Sequence, residues 1–168
     1  VFDLGARVIS VGTLSKPCGL PGLRVGWLAA LKEIAARCWS MRDYVSLSPG
    51  KLNDALALLA LAHREQIVAR NSAIIAANLE AAQAWIDDSS GMLSWQPPRG
   101  GLLALLHYNL DLPSLTLADK LAQEYSVMLA PGSAFGYEQY LRIGIGQRPE
   151  IFQAGLDAAG ACFAALQG

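Results

Sequence analysis

One segment constrains this chain more than any other: Thr13-Leu14-Ser15-Lys16-Pro17-Cys18-Gly19-Leu20-Pro21-Gly22-Leu23-Arg24, set between two apolar runs. The run before it is β-branched (Val8, Ile9, Val11) and the run after it begins at Leu23, which is the pattern of strand, loop and strand. Its glycines and prolines prevent either run from continuing as helix. Lys16 therefore stands at a strand end. A lysine held there, partly desolvated and near another cation, can lose its proton near neutral pH and become an amine nucleophile towards a carbonyl. Arg24 adds a fixed charge whose planar fork suits a phosphate. Pro17 directly follows the lysine, fixes φ and removes a backbone donor, so it shapes the turn locally.

The chain has 168 residues, of which 53% are apolar. That is enough for a packed core in one domain or two small ones. The formal net charge is −1 and the pI about 6.1, with no Lys/Arg-rich run, so nucleic-acid binding is not expected. The longest apolar run, residues 55–62, falls far short of the ~20 residues a membrane span requires. Asp3 and Arg7 near the start do not read as a secretion signal. Cys18, Cys38 and Cys162 are odd in number and lack metal-ligand spacing, which points to a reducing, cytoplasmic setting. Cys18 reads as a small packed hydrophobe. His63 and His107 have no ligand partner at metal spacing, so no metal site is expected, and the four tryptophans read as packing residues. A mean hydropathy of +0.31 without a membrane span suggests that part of the apolar surface meets a partner.

Along the chain, Leu31 to about Tyr44 reads as an amphipathic helix with Ile34, Ala35, Cys38 and Trp39 on one face. Ser46-Leu47-Ser48-Pro49-Gly50 breaks it. From Asn53 to about Asp88 the Ala/Leu-rich sequence predicts one or two helices, the later one long. Asp87-Asp88-Ser89-Ser90-Gly91 closes that stretch and sets the expected boundary between a first domain, residues 1–90, and a second, residues 91–168. In the second, Trp95-Gln96-Pro97-Pro98-Arg99-Gly100-Gly101 is a turn before a strand from Leu102 to His107. Ser114 to Tyr125 reads as a helix, with Ser114 or Thr116 as cap and Leu117, Leu121 and Tyr125 on one face. A strand over Val127–Ala130, a loop over Pro131–Gly136, a strand from Leu141 carrying Arg142, and a helix with Pro149 at its first position complete the chain.

These motifs resemble those of the class I/II aminotransferases. Thr-Leu-Ser-Lys followed by Gly19-Leu20-Pro21-Gly22-Leu23-Arg24-Val25-Gly26-Trp27 is similar to that family's cofactor-lysine segment. By resemblance Lys16 links covalently to pyridoxal 5′-phosphate and shuttles a proton, and Arg24 and Thr13 hold the phosphate with Ser15 beside them. Leu141-Arg142-Ile143, after the Pro131-Gly132-Ser133-Ala134-Phe135-Gly136 loop, resembles the strand whose arginine holds the substrate α-carboxylate. Ser46 and Ser48 lie where some family members reach a partner subunit's cofactor site. The fold implied is α/β, the C-terminal part of the aspartate-aminotransferase-like pyridoxal-phosphate-dependent transferase fold: the last strands of a large domain, a long linking helix and an α+β small domain.

The resemblance covers essentially the whole chain but only the C-terminal part of a family member, and the first residue is Val1. The family's phosphate-cradling loop, ring-stacking aromatic and pyridine-pairing Asp lie further upstream of the lysine than these residues extend; Asp3 is too close to Lys16 to match that Asp. The expectation is therefore an incomplete site, completed in a homodimer or by association with a missing N-terminal half, acting on an amino acid and a 2-oxo acid. Three alternatives share the scaffold: a non-catalytic associating module, a related lyase or cyclase, and the aminotransferase-like domain of a transcription regulator. Fold alone does not separate them.

Overall fold

A computed structural model describes residues 8–47 and 50–167; Asp3, Arg7 and Ser48 lie outside them. The chain forms two compact units, Val1–Asn71 and Ser72–Gly168.

In the first unit, β1 (Ser10–Thr13) and β2 (Gly26–Ala29) pair antiparallel, with Thr13 opposite Gly26 and Ser10 opposite Ala29. Helix α1 (Lys32–Met41) runs into a short 3₁₀ turn over Arg42–Tyr44, and α2 (Lys51–Ala62) follows. Two helices occupy the Ala/Leu-rich stretch, because His63, at φ −107°, breaks the spiral before the long α3 (Arg64–Asp87). The core here is small: Leu14, Cys18, Ala57 and Ala60 are buried, with Leu20, Leu23, Val25 and Ile67 packed around them. The two alanines allow α2 to approach the Lys16 loop closely, and Cys18 fills space as a small hydrophobe. Helix α1 buries none of its residues. Trp27 and Trp39 are 49% and 69% exposed, so the packing role expected of all four tryptophans holds for Trp85 and Trp95, which pack against the second unit's core.

In the second unit a four-stranded antiparallel sheet has the order β3-β4-β6-β5: β3 (Leu93–Trp95), β4 (Leu103–Tyr108), β5 (Ala130–Pro131) and β6 (Tyr140–Gly144). Side chains alternate along β4 and β6, as the period of a strand requires. Ala104, Leu106, Tyr108, Leu141 and Ile143 point into a core closed by α4 (Ser114–Tyr125), α5 (Pro149–Gln167) and the second half of α3. Leu117 and Leu121 are fully buried, as the helix face anticipates, and α5 starts at Pro149. Asn78 on α3 is buried, and its amide donates to the carbonyls of Ile145 (3.1 Å) and Gln147 (2.8 Å), tying the exit of β6 to the helix. The break in packing thus falls inside α3, after Asn71: Asn78, Ala82 and Ile86 already belong to the second core, whereas sequence placed the boundary at the breaker that ends the helix.

Candidate functional site

Hydrogen bonds within the loop between β1 and β2 set where each of its side chains points. Leu14 N–H donates to the Val25 carbonyl at 3.2 Å, continuing the β1–β2 ladder, and Leu20 N–H returns to the Leu14 carbonyl at 3.2 Å. Gly19 N–H donates to the Lys16 carbonyl at 3.2 Å, closing a turn whose second residue is Pro17, a position that suits its locked φ. Gly19 sits at φ +65°, in the left-handed region that glycine enters freely. Leu14 and Cys18 consequently turn inward, and Lys16 between them is exposed. The described residues thus leave the Lys16 amine in water, and the desolvation expected from sequence does not come from them. The Thr13 hydroxyl oxygen accepts the Ser15 N–H at 3.1 Å, and the hydroxyl lies 3.0 Å from Ser15 Oγ and 3.1 Å from the Val25 carbonyl. The two hydroxyls thereby sit together just before the lysine.

Arg24 adopts the left-handed conformation, φ 51° and ψ 36°. For a side chain with a Cβ this costs about 1–2 kcal/mol, and such strain concentrates at functional sites. Its N–H and its Nη1 both donate to the Pro21 carbonyl, at 3.4 and 3.1 Å. That double contact fixes the guanidinium relative to the loop while leaving most of its donors unused. Two asparagines that sequence gave no reason to single out hold the loop from the helices. Asn71 Nδ2 donates to the Pro17 carbonyl at 3.2 Å, and Asn53 Nδ2 to the Leu23 carbonyl at 2.9 Å. The available signal was an amide side chain recurring within helices otherwise rich in Ala, Leu and Ile.

Arg142, in the second unit, stands on the sheet face opposite the core, with Leu105 and Ala130 as its register partners. Its guanidinium carbon lies 4.5 Å from the centre of the Phe135 ring. Among the described residues Arg142 forms no ion pair. One face of the guanidinium is therefore covered by an aromatic ring while its in-plane donors remain available for a bidentate acceptor. The 3₁₀ turn Gly132–Phe135 that carries Phe135 is fixed in two ways. A Cβ on Gly132 would run into the backbone carbonyls of Tyr137 and Tyr140. Ser133 N–H donates to Ser114 Oγ at 3.1 Å, and Ser114 is fully buried. Ser114 therefore does not cap its own helix, as sequence expected. The Glu138 carboxylate takes that place by accepting the Ser114 N–H, and this hydrogen bond holds its pKa below the ordinary value. Thr13, Ser15, Lys16 and Arg24 thus share one loop of the first unit, and Arg142 belongs to the second.

The model of the family described as "Aminotransferase class I and II" matches residues 2–154, and the chain belongs to that family. Among curated proteins it is 33% identical over 146 residues to the capreomycidine synthase of Streptomyces vinaceus, covering 86% of this chain and 38% of that protein. It is 28% identical to nicotianamine aminotransferase A of Hordeum vulgare, covering 94% and 37%. Among solved structures it superposes on a pyridoxal-phosphate-dependent aminotransferase from Streptococcus suis with a TM-score of 0.90 at 32% identity, covering 94% of this chain and 42% of that one. It superposes on the pyridoxal-phosphate-dependent cyclase OrfR with a TM-score of 0.86, also at 32% identity. The fold is accordingly α/β, the C-terminal portion of the pyridoxal-phosphate-dependent aminotransferase fold. The chain spans less than half the length of these relatives. Pyridoxal phosphate is the family's cofactor, and the lysine loop has donors of the matching kinds: an exposed amine for an aldehyde, and two hydroxyls with a guanidinium for a phosphate. Among the described residues no helix is long and apolar enough to cross a membrane.

Proposed function

We propose that this chain supplies the lysine-bearing and carboxylate-binding part of an enzyme that transfers an amino group between an amino acid and a 2-oxo acid. The observation that carries this reading is the lysine loop, where an exposed amine, paired hydroxyls and a strained arginine are fixed on one short segment of a chain in the aminotransferase family. When bound, pyridoxal phosphate supplies an electron sink for the bond broken at the substrate Cα. Lys16 Nζ would hold the cofactor at its aldehyde, and the same amine would move the proton at the substrate Cα. The Thr13 and Ser15 hydroxyls and the Arg24 guanidinium bind the phosphate, and Arg142 binds the substrate α-carboxylate as a fork. The free cysteines Cys18, Cys38 and Cys162 support a reducing, cytoplasmic setting. Apolar side chains exposed on the first unit, Val11, Leu52, Leu58 and Leu59 among them, support a dimer or association with a chain that supplies the rest of the cage.

A second reading has support of its own: the 33% and 32% identity to a synthase and a cyclase favours ring-forming or eliminating chemistry with the same lysine. The test is the visible absorption of the chain mixed with pyridoxal phosphate, beside Lys16→Ala and Arg142→Lys. A band that is lost in Lys16→Ala, and that an added amino acid shifts about tenfold less readily in Arg142→Lys, supports both roles, because a point charge there replaces a fork. A band that survives Lys16→Ala refutes the lysine assignment. Conversion of the amino acid only when a 2-oxo acid is present selects transfer; conversion without one selects the cyclase-like reading.

A further inference from the structure

The carbonyls gripped by the two helical asparagines flank the two residues whose placement the proposed chemistry needs. Asn71 on α3 holds the carbonyl of Pro17, the residue after Lys16; Asn53 on α2 holds the carbonyl of Leu23, the residue before Arg24. Both asparagines are half-buried; the Asn53 bond is shielded in part, and the Asn71 bond lies at the surface. The Asn71 amide has one orientation. Its Oδ1 accepts from Arg70 Nε and Nη2 at 3.3 and 3.1 Å, which leaves Nδ2 to face the loop. A Cβ added at Gly19 would lie 3.4 Å from Asn71 Nδ2, so the turn packs directly on that amide. Arg24 stays in a conformation a non-glycine residue disfavours, and an anchor on the preceding peptide is what such a conformation requires. Leu14 and Cys18 fix the middle of the segment by burial, but burial alone does not fix the angle of the exposed residues beyond them.

We propose that Asn71 and Asn53 are positioning residues: Asn71 sets the direction from which the Lys16 amine meets the cofactor carbon, and Asn53 sets the guanidinium of Arg24 for the phosphate. The proposal rests on the reading of Lys16 and Arg24 given above.

Amide hydrogen exchange on the full chain tests the anchoring without any cofactor. In Asn71→Ala the Gly19 and Leu20 amides exchange about fivefold faster, the effect of one lost hydrogen bond, while Arg24 changes little; in Asn53→Ala the Arg24 amide responds and Gly19 does not. Asn71→Asp keeps the size but cannot donate and behaves like Asn71→Ala. Uniform acceleration across the first unit, or none, overturns the proposal. Reaction with pyridoxal phosphate, borohydride reduction and peptide mapping then compare Lys16 with Lys32, Lys51 and Lys120. Preferential labelling of Lys16 in the parent that falls about fivefold in Asn71→Ala, with the other lysines unchanged, supports positioning; a preference that persists overturns it. If the parent shows no preference for Lys16, the cofactor-lysine reading fails, and the positioning proposal fails with it even if exchange shows the asparagines holding the loop.

Discussion

Arg142 stands on a sheet whose opposite face is closed by three helices, over a core that includes Leu106, Tyr108, Leu117, Leu121 and Leu141, all fully buried. Lys16 stands on a loop whose core is Leu14, Cys18 and two alanines, beside strands that, among the described residues, each pair on one side only. Most of the large exposed apolar side chains lie in the first unit, including Val11 at 74%, Leu52 at 71% and Leu58 at 70%. Helix α2 is apolar nearly all round, the signature of a helix meant to be covered. The second unit therefore holds its cation by a closed hydrophobic frame. The first holds its cations by directed hydrogen bonds from Thr13, Asn53 and Asn71, and its apolar faces are exposed.

The strongest way to break this contrast is to attack the frame. Asn78→Leu removes the donor from two carbonyls, and Ile145, which carries one of them, is fully buried. Leaving such groups unsatisfied costs about 3 kcal/mol. Exchange of the Leu106 and Ile143 amides should accelerate by about a hundredfold, the equivalent of that energy at 25 °C, while the Lys16 loop is unaffected. Acceleration below about fivefold would mean that the second unit does not depend on this anchor and that its frame is apolar packing alone.

Asn78 also marks the limit of what sequence discloses. The lysine segment, the Arg142 strand, the Leu117/Leu121 face and the Pro149 start were legible because each is written in local spacing. Strand β3 was not: Leu93–Trp95 has three residues, too few to show a period, and it is followed by prolines and glycines that read as a turn. Of the strand expected over Val127–Ala130 only Ala130 pairs, in a two-residue β5 (Ala130–Pro131), because Ser126 turns left-handed at the end of α4 and the Val127 N–H is spent on the Leu121 carbonyl at 3.0 Å. The asparagines escaped notice because a polar residue in a helix ordinarily faces water, and only the tertiary partner shows otherwise. The capping of α4 depends on Glu138, 24 residues from Ser114, so no local pattern could assign it.

Glu138 offers a subtler probe of the same frame. Its pKa is held below the ordinary 4.5, chiefly by the Ser114 N–H. A group whose folded value is lowered contributes stability that is complete above the unfolded value and disappears as pH falls through the folded one. The second unit should therefore lose stability on acidification below about pH 4.5, and Glu138→Gln, which cannot ionise, should flatten that part of the profile by lowering stability at neutral pH towards the value the parent has in acid. Chemical denaturation of the two chains at stepped pH measures the difference. Tyr108 does not contribute in this range, since burial, and secondarily the Glu138 charge, push its phenol up to about 12. Parallel profiles for parent and variant would place the acid sensitivity elsewhere.

The smallest expected effect bears most directly on the first unit. Val11 lies on β1, 74% exposed, so Val11→Lys should change the stability of the isolated chain by no more than about 0.5 kcal/mol. A lysine on an open strand nevertheless opposes pairing with another chain. If this face is where a second copy or a completing chain docks, the variant should sediment as a smaller species than the parent at equal concentration, with loop amide exchange unaltered. Unchanged sedimentation would remove Val11 from the interface and leave the exposed leucines of α2 as the surface to test. Loss of the loop's exchange protection would mean instead that Val11 already serves the fold of its own unit, and the contrast between a closed frame and an open one would have to be redrawn around β1.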